Sequence, residues 1–305
     1  MTSLSFPDSE LAGARVIVTG ASGFIGHNLV KRLSRINAET LVIDRIQPAD
    51  HFPNVEFEWA DLRHLNQMYE ADFLIHLAAV TNAGYAEKYP METYETNVLG
   101  TVNLLNHVKI GKRILFPSTA LVYQESDHPI SEEGELDQTS TYAQSKTIGE
   151  QVLKFHANRH EVDYTLVRFF NVFGPGQLPM YIIPQILRQI QEENRVVVRN
   201  GAVMRDMLFV EDCIEAVLRL ATTPDGANTV FNIGSGEIVS IAEIARQAIE
   251  VSGRPDVEFT DLEQTINYSP TAIMADIRKV SETVDWLPRV SLREGLTRMW
   301  ESYSS

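Results

Sequence analysis

A single cysteine, Cys213, is all that 305 residues carry. That excludes an intrachain disulfide framework and a cysteine-rich zinc site. Long apolar runs are missing as well: no stretch approaches the roughly eighteen residues that a membrane-spanning helix needs. Basic residues are scarce, 26 against 41 acidic ones, for a formal net charge of −15. Such a balance is the reverse of a nucleic-acid binder's basic footprint, although it leaves room for a locally cationic pocket that takes an anion. The opening segment has no basic lead and carries Asp8 and Glu10 where a secretory signal would be apolar, so a cytoplasmic protein is expected. His76, His107 and His156 lack metal-ligand spacing and read as satisfied or exposed side chains; no metal is expected. Neither an internal repeat nor a low-complexity linker occurs.

What is present is the composition of a globular chain with a full core, 44% hydrophobic and 22% charged. Arg15–Thr19 is a short apolar run ending at a glycine, as a buried parallel strand would. Phe24 to about Arg35 follows with apolar residues on one helical face, and Thr40–Ile43 reads as a second strand stopping at Asp44. Strands at Asp72–His76, Lys112–Phe116 and Tyr164–Phe169 then alternate with helices near 90–108 and 141–158. This alternation predicts βαβ units in a doubly wound parallel sheet. After Gly174-Pro-Gly176 the rhythm changes. Short β runs at Arg195–Arg199, Thr229–Ile233 and Val257–Thr260 mix with helices near 181–194, 211–221, 240–252 and 291–302. The expectation is a nucleotide-binding domain over 1–174 and a smaller α/β lobe over 175–305, with the chain crossing between them.

Between the first strand and the first helix lies Gly20-Ala-Ser22-Gly23-Phe24-Ile25-Gly26. Glycines there permit a tight turn and close backbone approach, and the helix N-terminus offers unpaired N–H groups to a pyrophosphate. Asp44, at the end of the second strand, can accept hydrogen bonds from a ribose diol and would repel a 2′-phosphate. NAD is therefore favoured over NADP, with Arg45 next door as a mild contrary feature.

Tyr142 and Lys146 are four apart, on one face of a predicted helix. An ammonium one turn away, with the positive nicotinamide ring, would lower the phenol's pKa and let Tyr142 take a proton from a substrate hydroxyl. Ser118 and Thr119 end a predicted strand, where open α/β sheets bind ligands, and Thr119 can hold the same substrate oxygen.

These residues resemble the extended short-chain dehydrogenase/reductase family, specifically its NAD-dependent nucleotide-sugar epimerases and dehydratases. The ordered motifs also include Asp61-Leu62, His76-Leu77-Ala78-Ala79, Asn97-Val-Leu-Gly-Thr101 and Arg168-Phe169-Phe170-Asn171-Val-Phe-Gly-Pro-Gly176. Arg205-Asp206, Phe209–Asp212, Phe231–Gly236 and Trp286–Gly295 follow. The resemblance implies a Rossmann-type sheet with a smaller substrate-binding lobe, tightly bound NAD, and a UDP- or dTDP-linked hexose or hexosamine as substrate. It implies a triad of Thr119, Tyr142 and Lys146. Asp61 and Leu62 would hold the adenine, and Leu77 to Ala79 would line the cofactor path. Thr81, Asn97, Ser118, Phe169 and Phe170 join the implied cofactor site. Thr81, Asn171 and Val198 would contact substrate, and Arg205 would pair with the diphosphate unless it is tied to Asp206 or Asp212. A homodimer through the helices at 90–108 and 141–158 is also implied.

Two departures bear on the reaction. Ordinary 4,6-dehydratases of this family carry Asp-Glu after the catalytic threonine; here Ala120 and Leu121 stand there and cannot transfer protons. The pattern is that of a 4-epimerase, in which only hydride leaves and returns. A non-standard elimination, such as the 5,6-dehydration of UDP-hexosamines in tunicamycin-type pathways, is the alternative. A non-catalytic NAD-binding scaffold is more distant, because Thr119, Tyr142 and Lys146 are all kept. The second departure is the stretch Ile266–Ala275, which lacks the arginine many relatives have, so Asn267 or Tyr268 is expected to contact phosphate. The segment from Gln177 to Pro184 is also short.

Overall fold

The computed structural model describes residues 7–48, 50–262 and 273–304; Asn267 and Tyr268 lie outside the described residues. Strands in chain order are β1 (Arg15–Thr19), β2 (Glu39–Asp44), β3 (Val55–Trp59), β4 (Tyr69–His76), β5 (Val108–Thr119), β6 (Asp163–Phe169), β7 (Asn171–Phe173), β8 (Arg195–Arg199), β9 (Met204–Phe209), β10 (Thr229–Ile233), β11 (Ile238–Ser240) and β12 (Glu258–Leu262). Helices are α1 (Asp8–Leu11), α2 (Phe24–Arg35), α3 (Ala83–Lys88), α4 (Pro90–Tyr94), α5 (Gly100–Asn106), α6 (Thr141–His160), α7 (Ile182–Glu193), α8 (Val210–Thr222), α9 (Ile241–Ser252), α10 (Arg278–Val284) and α11 (Leu292–Ser304).

Seven strands form one sheet in the order β10-β6-β5-β4-β1-β2-β3, with every neighbouring pair parallel. The chain therefore winds outward from β1 in both directions, the expected Rossmann-type α/β class. A ligand crevice is set beyond the carboxyl ends of β1 and β4, where the order reverses. Successive strand side chains point to opposite faces. Val16 and Val18 of β1 join the cluster of Leu29 and Leu33 of α2 and Val217 of α8. Ile17 between them joins Leu104 of α5 and Leu153 of α6. Burial on both faces is why these strands read as continuous apolar runs rather than alternating ones.

Several elements differ from the sequence expectation. β5 is longer than Lys112–Phe116, running from Val108 to Thr119 with a register irregularity opposite Ala71 and Phe73. The helix expected over 90–108 is interrupted by a π-helical turn, Glu95–Leu99, between α4 and α5. Thr229–Ile233, grouped by sequence with the smaller lobe, is instead the edge strand β10 beside β6. The remaining C-terminal strands form two small sheets, β11-β9-β7 and β12-β8. Their helices share one continuous apolar core with the large sheet: Ile186 of α7, Ile244 of α9 and Leu296 of α11 lie in the same cluster as Val18 and Phe231.

Candidate active site

Beyond the carboxyl ends of β1 and β4 lies a cleft of about 820 Å³, the size of a cofactor site. Its floor is the glycine loop. Gly20 has φ +76°, and a Cβ there would fall 2.5 Å from the Ala78 nitrogen; at Gly26 a Cβ would sit 2.2 Å from the Gly20 carbonyl oxygen. Only glycine fits either position, and the result is backbone packed on backbone. Gly23 caps α2 without a side-chain hydrogen bond among the described residues, which leaves the helix N-terminus beside the cleft without the side-chain cap that would compete with an anion. Ser22 does not cap the helix. It turns to Asp44, donating from its backbone nitrogen (3.0 Å) and its hydroxyl (2.8 Å) to one carboxylate oxygen. Asp61 also lines the cleft, clamped by the Arg63 guanidinium at 2.6 Å with Arg45 at 4.0 Å. The Arg63 hydrogen bond holds its carboxyl down at about 2. Two cleft-lining hydroxyls, Thr96 Oγ1 and Ser118 Oγ, are buried without a partner among the described residues. The uncapped helix end and these two hydroxyls fit a dinucleotide laid along the floor.

At the centre stand Thr119, Tyr142 and Lys146, all lining the cleft. Ser140 starts α6 by accepting from the Ala143 N–H (3.1 Å), which places Tyr142 in the first turn and Lys146 one turn below. Gly149 lets α6 settle on β5, since a Cβ there would meet the Phe116 ring at 2.7 Å. Lys146 Nζ lies over that ring, 4.4 Å from its centroid. Burial lowers the lysine to about 8, opposed by the nearby Glu150 carboxylate. Burial pushes the Tyr142 phenol up, and the Thr119 hydroxyl hydrogen bond is what draws it back down. Lys146 is not among the groups that lower the phenol. Thr119 is the hydrogen-bond partner of the Tyr142 hydroxyl.

Beneath this group runs a buried polar chain. Thr101 Oγ1 donates to the Asn97 carbonyl (2.7 Å) and so must accept from His76 Nε2 (2.9 Å). His76 Nδ1 is then the acceptor, taking a hydrogen bond from Thr19 Oγ1 (2.7 Å), which itself accepts from the Ala78 N–H. Burial, with the Lys146 charge, lowers the imidazole to about 3, so it stays neutral. The Asn97 amide bonds both the N–H and the carbonyl of Val80 and donates to Ser145 Oγ; Ser145 donates to the Tyr142 carbonyl. The chain ties β1, the 78–80 wall and α6 together, and the π-helical turn is where Asn97 enters it.

The structure gathers Gly20, Ser22, Gly23, Phe24, Ile25, Gly26, Asp44, Arg45, Asp61 and Leu62 on the cleft wall. Leu77, Ala78, Ala79, Thr81, Ser118, Thr119, Tyr142, Lys146, Phe169, Phe170, Asn171 and Arg205 join them. Two predicted residues are elsewhere. Asn97 is buried in the chain just described, behind Thr96. Val198 faces the core with Val196, because strand alternation on β8 sends Arg199 to the cleft instead. Arg205 is not tied to Asp206 or Asp212; its guanidinium donates only to the Met204 carbonyl among the described residues. Asp206 instead accepts from the Ser235, Gly236 and Ala275 N–H groups and the Ser235 hydroxyl. Asp212 accepts from the Arg289 and Val290 N–H groups. Sequence reasoning missed Thr96, Glu125, Gln177, Leu178, Tyr181 and Arg199 in the wall; the shortened Gln177–Pro184 segment was the available signal.

Set beside known proteins, residues 16–234 match the profile of the NAD dependent epimerase/dehydratase family. UDP-glucuronic acid decarboxylase 6 of Arabidopsis thaliana is 30% identical over 95% of this chain and 88% of its own. Among solved structures, MoeE5 in complex with UDP-glucuronic acid and NAD superposes with a TM-score of 0.85 at 29% identity, over 95% of this chain and 99% of that one. The UDP-glucose 4-epimerase of Thermotoga maritima with UDP-glucose gives 0.84 at 25%, over 95% and 98%.

Proposed function

Because the chain belongs to the NAD dependent epimerase/dehydratase family, we propose that it is a nucleotide-sugar 4-epimerase acting through transient oxidation at C4. Its cofactor is NAD and its substrate class is nucleotide-diphosphate sugars; the reaction at C4 is the inference. NAD, bound along the glycine loop, supplies the acceptor and donor of hydride.

The residues of the chain divide the remaining work. Tyr142 takes the proton from the C4 hydroxyl and returns it. Thr119 shares that oxygen and, by its hydrogen bond, draws the buried phenol down. Lys146, protonated below about 8, stands one turn under Tyr142 and would hold the nicotinamide ribose of NAD. Asn171, whose amide is anchored on the Asp206 carbonyl (3.1 Å), and Arg205 hold the diphosphate. Phe169 and Phe170, both buried, give the cleft an apolar wall. Residues after 174 supply mainly the nucleotide and sugar side of the cleft, and before them mainly the dinucleotide side.

One observation carries the choice of epimerisation: beside Thr119 the cleft presents Ala120 and Leu121, neither of which can donate or accept a proton for elimination. Glu125, also in the wall, favours a second reading, dehydration of non-standard type, because it is a carboxylate on the same segment. The exposed apolar residues Leu99, Val102 and Phe155 on the helices around 90–106 and on α6 support a homodimer through that face, testable by light scattering. Among the described residues no helix is long and apolar enough to cross a membrane.

The test is incubation of the purified protein with UDP- and dTDP-hexoses and with UDP-glucuronic acid, followed by product mass and proton NMR. A product of unchanged mass with altered H4 couplings is expected. Loss of one water would establish the dehydratase, and loss of carbon dioxide a decarboxylase; either would overturn epimerisation.

A further inference from the structure

A buried ion pair is a poor device for stability alone, because exchanging it for apolar side chains of similar volume is often neutral or stabilising. Glu150 and Arg168 form such a pair beneath the active site, 3% and 4% exposed. Arg168 Nε and Nη2 donate to the two Glu150 carboxylate oxygens at 3.1 and 2.8 Å. Its Nη1 donates to the Tyr123 hydroxyl at 2.8 Å, and Tyr123 donates in turn to Asn232 Oδ1 at 2.7 Å.

Glu150 also stands four residues after Lys146 on α6, the spacing that brings two side chains to one face of a helix, about 5–6 Å apart at Cβ. Both residues are buried. Arg168 already takes both carboxylate oxygens, so the Glu150 charge reaches the ammonium through space. The elements packed around Lys146 bring little else. On α6 Tyr142 is an uncharged phenol, and His76 of β4 is a neutral imidazole. From β5 come the Phe116 ring and the Ser118 and Thr119 hydroxyls; from β6 comes Arg168, turned to Glu150. Glu87 of α3 accepts from the Thr141 N–H at the start of α6 (2.6 Å). On α4, Tyr94 donates to Gln144 and Glu92 accepts from Tyr85, while Glu95 of the π-helical turn pairs with Arg63 at 3.6 Å. Among the described residues Glu150 is the one charge that acts on Lys146, and it opposes the desolvation that would neutralise it.

We propose that Glu150 is a positioning residue of the cofactor site: fixed by Arg168, it keeps Lys146 an ammonium in the interior below Tyr142. The inference rests on the reading that Lys146 holds the nicotinamide ribose, and it is independent of the choice between epimerisation and elimination. An ammonium offers the ribose oxygens three charge-assisted donors, which a neutral amine cannot match. An opposite charge within about 4–6 Å moves a titration by about one to three pH units. Without Glu150 the lysine, which now titrates at about 8, would be largely neutral near pH 7.5.

The experiment follows the Lys146 ε-methylene by proton–carbon NMR in the full-length protein, freed of NAD and carrying carbon-13-labelled lysine. The signal is identified by its loss in Lys146→Met. Wild type should titrate at about 8. Glu150→Gln should move that midpoint down by about one pH unit or more, and Glu150→Asp, which restores the charge, should bring most of it back. Glu150→Gln leaves Arg168 buried without its counter-charge, so Glu150→Gln/Arg168→Gln, with no charge left over, decides where the single variant does not fold. NAD affinity, measured by calorimetry, should fall above each protein's own midpoint, so its pH dependence is displaced with the lysine. A wild-type midpoint below about 7, or one unmoved in the folded variants, would overturn the proposal and leave the ion pair as a clamp between α6 and β6. A displaced midpoint with NAD affinity indifferent to pH would overturn the ribose role of Lys146 and leave the action of Glu150 on it standing. An unmoved midpoint with NAD affinity that still tracks it would do the reverse.

Discussion

Replacing Lys146 with methionine should make the NAD-free protein more stable while removing its activity. Lys146 is 6% exposed, and burial lowers its pKa from 10.5 to about 8. At about 1.4 kcal/mol per tenfold change in proton affinity, holding that ammonium in the interior costs the fold about 3 kcal/mol. Between pH 8 and 10.5 the unfolded chain binds a proton that the folded chain has released, so stability rises with pH across that window. Below pH 8 the whole cost is present. Lys146→Met keeps an unbranched side chain of similar length without the charge, and forfeits the contact with Phe116, worth about 1 kcal/mol. The net expectation at pH 7 is about 2 kcal/mol of added stability, which for 305 residues is a rise in Tm of about 3 °C. Thermal unfolding of both proteins by circular dichroism, from pH 6 to 10.5, measures the difference. It should be largest at pH 6–7 and close toward pH 10.5, with turnover lost throughout. A variant less stable than wild type at pH 7, or a gap of the same size at pH 7 and 10.5, would refute the view that this lysine is held charged against a desolvation cost.

Tyr142→Phe should leave the fold and NAD binding intact and cut turnover by about three orders of magnitude; near-normal turnover would remove Tyr142 from its role. Within the glycine loop the three positions should separate. Gly20→Ala and Gly26→Ala push a Cβ into backbone at 2.5 and 2.2 Å and should abolish NAD binding, read by fluorescence titration. Gly23→Ala, whose Cβ would meet only the Gly20 oxygen at 3.2 Å, should fold with a Tm within about 2 °C of wild type. His76→Phe leaves the Thr19 and Thr101 hydroxyls without their ring partner. It should cost about 3 kcal/mol in unfolding free energy and lower kcat more than it raises KM, because the chain it breaks sets Tyr142 rather than the substrate. Equal effects on both constants would contradict that assignment.

Strand β1, the glycine loop, α2 and the Tyr142–Lys146 helix were legible in the sequence because each obeys a local rule. An apolar run stops at a glycine, a 3.6-residue stripe follows, and two functional groups stand one turn apart. The misreadings fall where the deciding contact is distant. Thr229–Ile233 looks the same whether it pairs in the large sheet or the small lobe, and only its register on Thr165–Phe169 decides. Val198 and Arg199 differ by one residue, so the phase of β8 against a core that the sequence does not display determines which meets the cleft. Asn97 has the composition of a ligand-binding residue. It is instead held by Val80 and Ser145, partners 17 and 48 positions away, through a π-helical turn with no local sequence signature.

The same distance explains how a chain of net charge −15 can hold a dianionic diphosphate. Sequence proximity suggests that Asp206 neutralises Arg205, but in the fold the two are separated by function. Asp206 lies fully buried and accepts from three backbone N–H groups and one hydroxyl, and that satisfaction fixes the turn at Ser235–Gly236 and the isolated bridge of Ala275 with Ile130. Asp212 is likewise engaged with the backbone at Arg289 and Val290. Both carboxylates therefore complete interior hydrogen bonds instead of facing the cleft, and the Arg205 charge is left for a ligand. Asp206→Asn tests this division: an amide cannot accept all four donors, so the turn should loosen and stability fall by about 2 kcal/mol. If Asp206 were instead the neutralising partner of Arg205, the same substitution would tighten nucleotide-sugar binding, and calorimetry distinguishes the two by the sign of the change.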